Sequence, residues 1–220
     1  MPSITVLGRA TSSNVQSVMW CAAELGVEVA RKDVGGTFGG NDTAEYLAMT
    51  PTGLVPTAII DDEPIFESMA IVRALSARYG DETFWPSDPI ARARLDKWAE
   101  WGKVAFGAAF IFPIFVPLVR LTPAQRDKAA LDRALAAFLP QLAILEAHLG
   151  RSEWIGEAFS FADIAPGHVL YRLHELEAEG ALALPAHPNV TRYYQALQAR
   201  PAFAEHVMIS YDSLRPKPEG

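Results

Sequence analysis

Thr11, Ser12, Ser13 and Asn14 put three hydroxyls and an amide in a row where a strand-like run gives way to helical spacing. Further on, Glu67-Ser68 sets an acid and a hydroxyl at the start of another helix. A helix N-terminus offers unpaired amides and the positive end of the helix dipole, so Ser68 there favours a carboxylate. Between the two sites, Val55-Pro56 follows the turn Thr50-Pro51-Thr52-Gly53 and precedes a strand-like run, Thr57 to Ile60. Proline cannot donate to a sheet ladder and is confined to edges and strand beginnings, which leaves the backbone before Pro56 free to pair with a ligand. An X-Pro bond is also the common site of a cis peptide, which would turn the backbone groups of Val55 outward. Together these features make a place to hold a peptide.

Other chemistries find less support. Cys21 is the single cysteine and stands about two turns into the first helix, where a thiol is usually a small buried hydrophobe. The histidines at 148, 168, 174, 187 and 206 are read as showing no HxxxH or HxxE pattern, and no second cysteine completes a zinc site, so no metal is expected. Gly39-Gly40-Asn41 lacks the following lysine of a phosphate loop. A net charge of −7 and a pI of about 5.2 argue against a nucleic-acid partner, and no basic cluster offsets them. The uncharged run from Val104 to Val119 is too short and too interrupted, by Pro113 and Pro117, to span a bilayer. It reads as a buried helix that bends or ends near Pro113, with Phe106, Phe110, Phe112 and Phe115 as a candidate pocket wall. One cysteine and no leader-like N-terminus place the expected compartment in the cytoplasm.

The elements that must position these residues follow from periodicity. Ile4 to Leu7 predicts a strand, and Val15, Val18, Met19, Ala22 and Leu25 predict a helix stopped by Gly26. Val27 to Val34 reads as a second strand and Thr43 to Ala48 as a short helix. Strands at 57–60 and 64–66 flank the acidic turn Asp61-Asp62-Glu63, and Ile71, Val72, Leu75 and Tyr79 mark a helix ending at Gly80. The order βαβαββα is a compact α/β unit. Beyond a Pro-rich acidic stretch only helical spacing appears, in Leu95, Trp98 and Trp101 and again from Leu131 to Leu149. In Phe159-Ser160-Phe161-Ala162-Asp163-Ile164, Ser160 and Asp163 fit a capping box for a helix starting at Phe161, with Phe159 and Ile164 placed as a staple.

These motifs, in this order, resemble the cytosolic glutathione transferases. The resemblance rests on Asn14-Val15-Gln16 with Glu24-Leu25-Gly26, Pro51-x-Gly53-x-Val55-Pro56, Glu67-Ser68-x-Ala70-Ile71, and Phe161-Ala162-Asp163, and it spans nearly the whole chain. It implies a thioredoxin-like glutathione-binding domain over 1–81, a linker at 82–88, an all-helical domain over 89–214, a tail at 215–220, and a homodimer.

By position, the resemblance gives Val55 and Pro56 the cysteinyl part of glutathione, and Glu67 and Ser68 its γ-glutamyl end. An acid for the ammonium and a hydroxyl at a helix N-terminus for the carboxylate are complementary contacts. Ser12 is the expected thiolate donor of a serine-type site, with Asn14 as second choice, while Leu7 stands where other branches carry a tyrosine. Arg9, Trp101, Phe106 and Phe110 are candidates for the acceptor pocket. Leu54 and Ser17 replace basic residues frequent in relatives. The implied reaction is attack of the glutathione thiolate on a hydrophobic electrophile. Isomerisation, dehalogenation, disulfide reduction and non-catalytic ligand binding on the same scaffold stay open.

Overall fold

The computed structural model describes residues 4–217. Its first part runs β1 (Ile4–Leu7), α1 (Ser13–Glu24), β2 (Ala30–Lys32), α2 (Ala44–Met49), β3 (Thr57–Ile60), β4 (Glu63–Phe66) and α3 (Ser68–Tyr79), the expected βαβαββα order. The sheet order is β2-β1-β3-β4, with β1 parallel to β2 and antiparallel to β3, and β3 antiparallel to β4. Strand alternation turns Ile4, Val6, Ala58 and Ile60 inward to join Val15, Val18, Ile71, Val72 and Leu75 in the core.

Local chemistry sets the boundaries. The N–H groups of Gly26 and Val27 close onto the carbonyls of Ala23 and Ala22, with Gly26 at a φ of 66°. That Schellman-type ending draws Val27 into the α1 terminus, so β2 is shorter than the expected 27–34. Asp61 and Asp62 adopt φ of 51° and 68°, the left-handed pair that a two-residue hairpin demands. The Val55-Pro56 bond is cis.

The second part is helical throughout the described residues. A helix, α4, runs for 32 residues from Pro89 to Arg120, capped by Asp88 Oδ1, which accepts from Ile90 and Ala91 at 3.1 and 2.7 Å. It does not end at Pro113, one of the two outcomes expected from the sequence. Its turns widen to π geometry at Gly102–Gly107 and Ile111–Phe115, and such a widened turn accommodates a residue without an N–H donor. By length and composition α4 would suffice to cross a bilayer, yet Phe106, Phe110, Ile114, Phe115 and Val119 are buried against the other helices.

Helices α5 (Lys128–Leu149), α6 (Phe161–Ala178), α7 (Pro188–Gln198) and α8 (Pro201–His206) complete the bundle, with α6 at its centre. The capping box of α6 forms as expected: Ala162 N–H donates to Ser160 Oγ at 3.3 Å and Ser160 N–H to Asp163 Oδ2 at 2.9 Å. Phe159 packs with Trp20, Phe84 and Trp154, and the Arg200 guanidinium lies 3.6 Å from its ring centre. Two glycines allow α6 its close neighbours. A Cβ on Gly102 would stand 2.8 Å from Pro166 Cδ, and one on Gly167 would stand 2.8 Å from the Trp20 indole. Arg200 binds both oxygens of Glu24 at 2.8 and 2.6 Å, joining α1 to the helical part. Arg215, expected in a frayed tail, holds both carboxylate oxygens of Glu179 at 2.6 and 2.7 Å. Residues 218–220 of that expected tail lie outside the described residues.

Candidate active site

A cavity of about 370 Å³ opens between the α1 entrance, the β3 approach and α4. Arg9, Ser12, Asn14 and Val55 line it, and a smaller cleft of about 40 Å³ continues past Pro56 to Glu67 and Ser68. The sequence-derived donors on α1, the Val-Pro segment and the α3 entrance therefore meet in one place. Among the described residues Val55 has no backbone hydrogen bond to the rest of the chain, so its N–H and C=O are left for a guest. Glu67 holds a φ of 69°, a conformation uncommon for a side-chain-bearing residue, and its carbonyl accepts the Ile71 N–H at 3.0 Å.

Ser12 is the N-cap of α1, but its hydroxyl makes no capping bond. The residue is buried yet lines the cavity, and its hydroxyl has no hydrogen-bond partner among the described residues. Asn14 is committed, and informatively so. Lys103 Nζ lies 2.6 Å from Asn14 Oδ1 and 3.1 Å from Ser68 Oγ. An ammonium only donates, so the oxygen of Asn14 must face it, and the Asn14 amide nitrogen is left as a donor on the other side. Burial pushes the Lys103 pKa down, while the charge of Glu67 pulls it up.

A second cation acts from α6. Arg172 is buried and donates to Gln16 Oε1 at 2.7 Å and to the Thr11 carbonyl at 3.1 Å, with its guanidinium 5.2 Å from the Phe115 ring centre. Burial pushes its pKa down to about 10, so it stays charged at neutral pH. Beside it His168 Nδ1–H donates to the Ile164 carbonyl at 3.2 Å. Burial first, then Lys103 and Arg172, push the His168 pKa down to about 3, and the ring is neutral. Arg9 and Arg120 also reach the cavity, and Arg9 has its pKa lowered by burial and by Arg120. No acidic side chain lines this cavity among the described residues, and α1 has no acid in its first turn. The entrance of α1 is thus a region of positive potential with a hydroxyl and an amide donor at its surface.

The expected acceptor residues divide. Arg9 lines the cavity, but Trp101, Phe106 and Phe110 do not. Phe106 and Phe110 are wholly buried on the bundle side of α4, each with its ring centre 5.3 Å from that of Phe138, and Trp101 Nε1 donates to Gln141 at 3.0 Å. Residues offset around the helix, Ala108, Ile111, Phe112, Phe115 and Val116, form the apolar wall instead. Ser17 points inward and donates to the Asn14 carbonyl at 2.9 Å, while Leu54 is exposed at the rim. Cys21 is buried, and burial pushes its thiol up to about 12.

Lys103, Arg120, His168 and Arg172 were not among the sequence-derived candidates. The signal available was weak: a lysine and an arginine bounding the apolar run of α4, and a cation inside the most buried helix of the bundle.

A thioredoxin-like sheet domain joined to a helical bundle, with an anion-favouring cavity between them, defines the architecture of the glutathione transferases. Two family models match, "Glutathione S-transferase, N-terminal domain" over residues 2–76 and "Glutathione S-transferase, C-terminal domain" over 128–196. The chain is 38% identical over 210 residues to glutathione S-transferase GstB of Escherichia coli K12, covering 94% of this chain and 98% of that protein. Glutathione S-transferase 3 of Zea mays is 29% identical, with 94% of each chain covered. The theta class glutathione S-transferase from Xanthomonas axonopodis pv. citri, crystallised with glutathione bound, superposes with a TM-score of 0.88 at 37% identity, over 96% of this chain and 99% of that one. The chain belongs to the glutathione S-transferase family, and its enzymatic class is that of a glutathione S-transferase.

Proposed function

We propose that the protein conjugates the thiolate of glutathione to an electrophile, with the Ser12 hydroxyl and the Asn14 amide as the donors that hold the sulfur as an anion. The observation that carries this is the bond from Lys103 to Asn14 Oδ1, which leaves the Asn14 amide nitrogen as a donor in a residue that lines the same cavity as Ser12, whose hydroxyl makes no capping bond. A free thiol near pKa 8.5 is only a few per cent ionised at neutral pH, and lowering it by about 2 units requires about 2.7 kcal/mol. Two donors to the anion, the α1 dipole and the cations Lys103 and Arg172 are together sufficient in kind and number.

In this reading Val55 pairs its backbone with the cysteinyl residue, Glu67 receives the γ-glutamyl ammonium, and Ser68 with Lys103 receives the neighbouring carboxylate. The acceptor occupies the wall of Ile111, Phe112, Phe115 and Val116. Arg9 and Arg120 beside that wall favour an acceptor whose apolar body carries a negative group. Disulfide reduction through a protein thiol is disfavoured, since Cys21 is buried and its thiol pKa is raised. We extend the proposal to a cytoplasmic homodimer divided into the glutathione-binding part, 1–81, a linker, 82–88, and the helical part, 89–214. Exposed Phe66, Ile90 and Val104 supply apolar surface for a dimer contact. Sedimentation at micromolar concentration that finds only a 24.0 kDa species refutes the dimer.

The test of the mechanism is the ionisation of bound glutathione, followed by thiolate absorbance against pH in the wild type, Ser12→Ala, Asn14→Ala and the double variant. Each single change is expected to raise the thiol pKa, and the double change to bring it within about half a unit of free glutathione. Turnover and thiol pKa that survive the double change reject the assignment.

A further inference from the structure

Away from the cavity, three side chains at the α6–α7 corner converge in a way that the glutathione reaction does not use. His174 and Glu177 lie one turn apart on α6, and His187 is the N-cap residue of α7. His174 Nδ1 lies 3.4 Å from Glu177 Oε2, and His187 Nε2 lies 3.2 Å from that same oxygen. Ligands about 2.0–2.1 Å from a tetrahedral zinc ion stand roughly 3.3 Å apart, so both measured edges already have the length that such an ion requires. One donor atom from each of the three residues lies within 4.8 Å of the others, so the third edge closes with a small side-chain adjustment.

The hydrogen bonding points the same way. His187 Nδ1 is 2.7 Å from the Pro185 carbonyl, which can only accept, so Nδ1 carries a proton. In the neutral ring the Nε2 lone pair then faces a carboxylate oxygen. That contact is attractive only with a proton, carried by either group, or a metal ion between the two. A ligating histidine commonly donates its second N–H to a backbone carbonyl, and that contact is present here. The His174 ring is held by stacking on Tyr194, with ring centres 4.3 Å apart and planes 18° from parallel. His174 and Glu177 are partly exposed, which leaves a way in for an ion and a water as fourth ligand.

We propose that His174, Glu177 and His187 form a binding site for one divalent transition-metal ion of the zinc type, separate from the glutathione cavity. This revises the expectation that the chain holds no metal. His174-x-x-Glu177 is a one-turn pair that the sequence reading passed over, and its partner His187 is joined to it only by the α6–α7 turn.

The test uses the full-length, tag-free protein, stripped with chelator and titrated with Zn²⁺ by calorimetry in the absence of glutathione. One ion per chain with micromolar or tighter affinity is expected, weakened by at least about tenfold in Glu177→Gln and in His187→Asn. Affinity should also fall as the solution is acidified and protons compete for the ligands. Circular dichroism of each variant checks its fold, and Co²⁺ absorption reports tetrahedral coordination in the wild type independently of any variant. Conjugation of glutathione should be unchanged by chelation and by either substitution, so loss of the metal and failure of the proposed reaction are read separately. Absence of stoichiometric binding, or equal affinity in the wild type and both variants, overturns the site.

Discussion

Lys103→Met is the sharpest probe of how the helical bundle acts on the glutathione site. Two hydrogen bonds are lost, at 2.6 Å to Asn14 and at 3.1 Å to Ser68, and the first is the one side-chain bond to the Asn14 amide among the described residues. A unit charge is lost as well. At roughly 6 Å from a thiolate, in a medium of effective dielectric about 20, it is worth about 2.8 kcal/mol, or about 2 pKa units. The cavity is open to solvent, which screens the charge, so a rise of about 1 unit in the bound thiol pKa is the reasonable expectation. Measured as kcat/KM for glutathione against pH, the acid limb should move up by about 1 unit. Activity should fall about tenfold below the wild-type pKa and recover at alkaline pH. Lys103→Arg keeps the charge and should recover part of the loss, which separates charge from packing. A raised KM with an unmoved pH profile would mean that Lys103 serves only the γ-glutamyl end, and the argument linking it to the sulfur would fail.

Two further outcomes follow from buried groups. His168 has a folded-state pKa of about 3, below the ordinary value near 6.5, so the unfolded chain takes up a proton first as the pH falls. Its contribution is whole above about pH 6.5 and is lost at about 1.4 kcal/mol per unit below that, down to about pH 3. Urea unfolding between about pH 6 and 4 should show this slope removed in His168→Gln, and identical slopes in the two proteins would refute it; His174 acts in the same sense, and Asp163, raised to about 6 by burial, in the opposite one. Asp163 accepts from Ile155 N–H, Ser160 N–H and the Tyr193 hydroxyl, each at 2.9 Å, and Asp163→Ala orphans three buried donors. The expected cost is about 3–5 kcal/mol, a Tm drop on the order of 10 °C by calorimetry, and a loss under about 1 kcal/mol would show that the network is not what holds the start of α6.

The α/β part was legible because its signals are local. Gly26 ends α1, the Asp61-Asp62 pair turns the hairpin, and Ser160 and Asp163 open α6, each through a bond made within a few residues. The residues proposed to hold glutathione, Val55, Pro56, Glu67 and Ser68, stood out in the sequence for the same reason, since they mark the ends of elements. The acceptor wall was not. In the run from Val104 to Val119 nearly every position is apolar, so periodicity could not say which face meets the bundle and which the cavity. The π segments then shift the register, and Phe106 and Phe110 turn to Phe138 while Phe112 and Phe115 face the cavity. The continuation of α4 past Pro113 escaped for a related reason, because a widened turn has no one-residue signature.

What was hidden most completely is the electrostatic half of the site. Ser12 and Asn14 are visible in the sequence as donors, but donors alone do not distinguish a thiolate site from a capped helix. The distinction comes from Lys103 and Arg172, far along the chain, one aligning the Asn14 amide and the other gripping the Thr11 carbonyl just before Ser12. Neither has an acidic hydrogen-bond partner among the described residues, although the charge of Glu67 acts on Lys103, and a buried cation such as Arg172 is costly unless something else gains from the field it creates. An anion at the entrance of α1 would gain. On the proposed mechanism the bundle therefore does more than close a pocket over the sheet domain, because its cations would hold a sulfur anion at the start of α1.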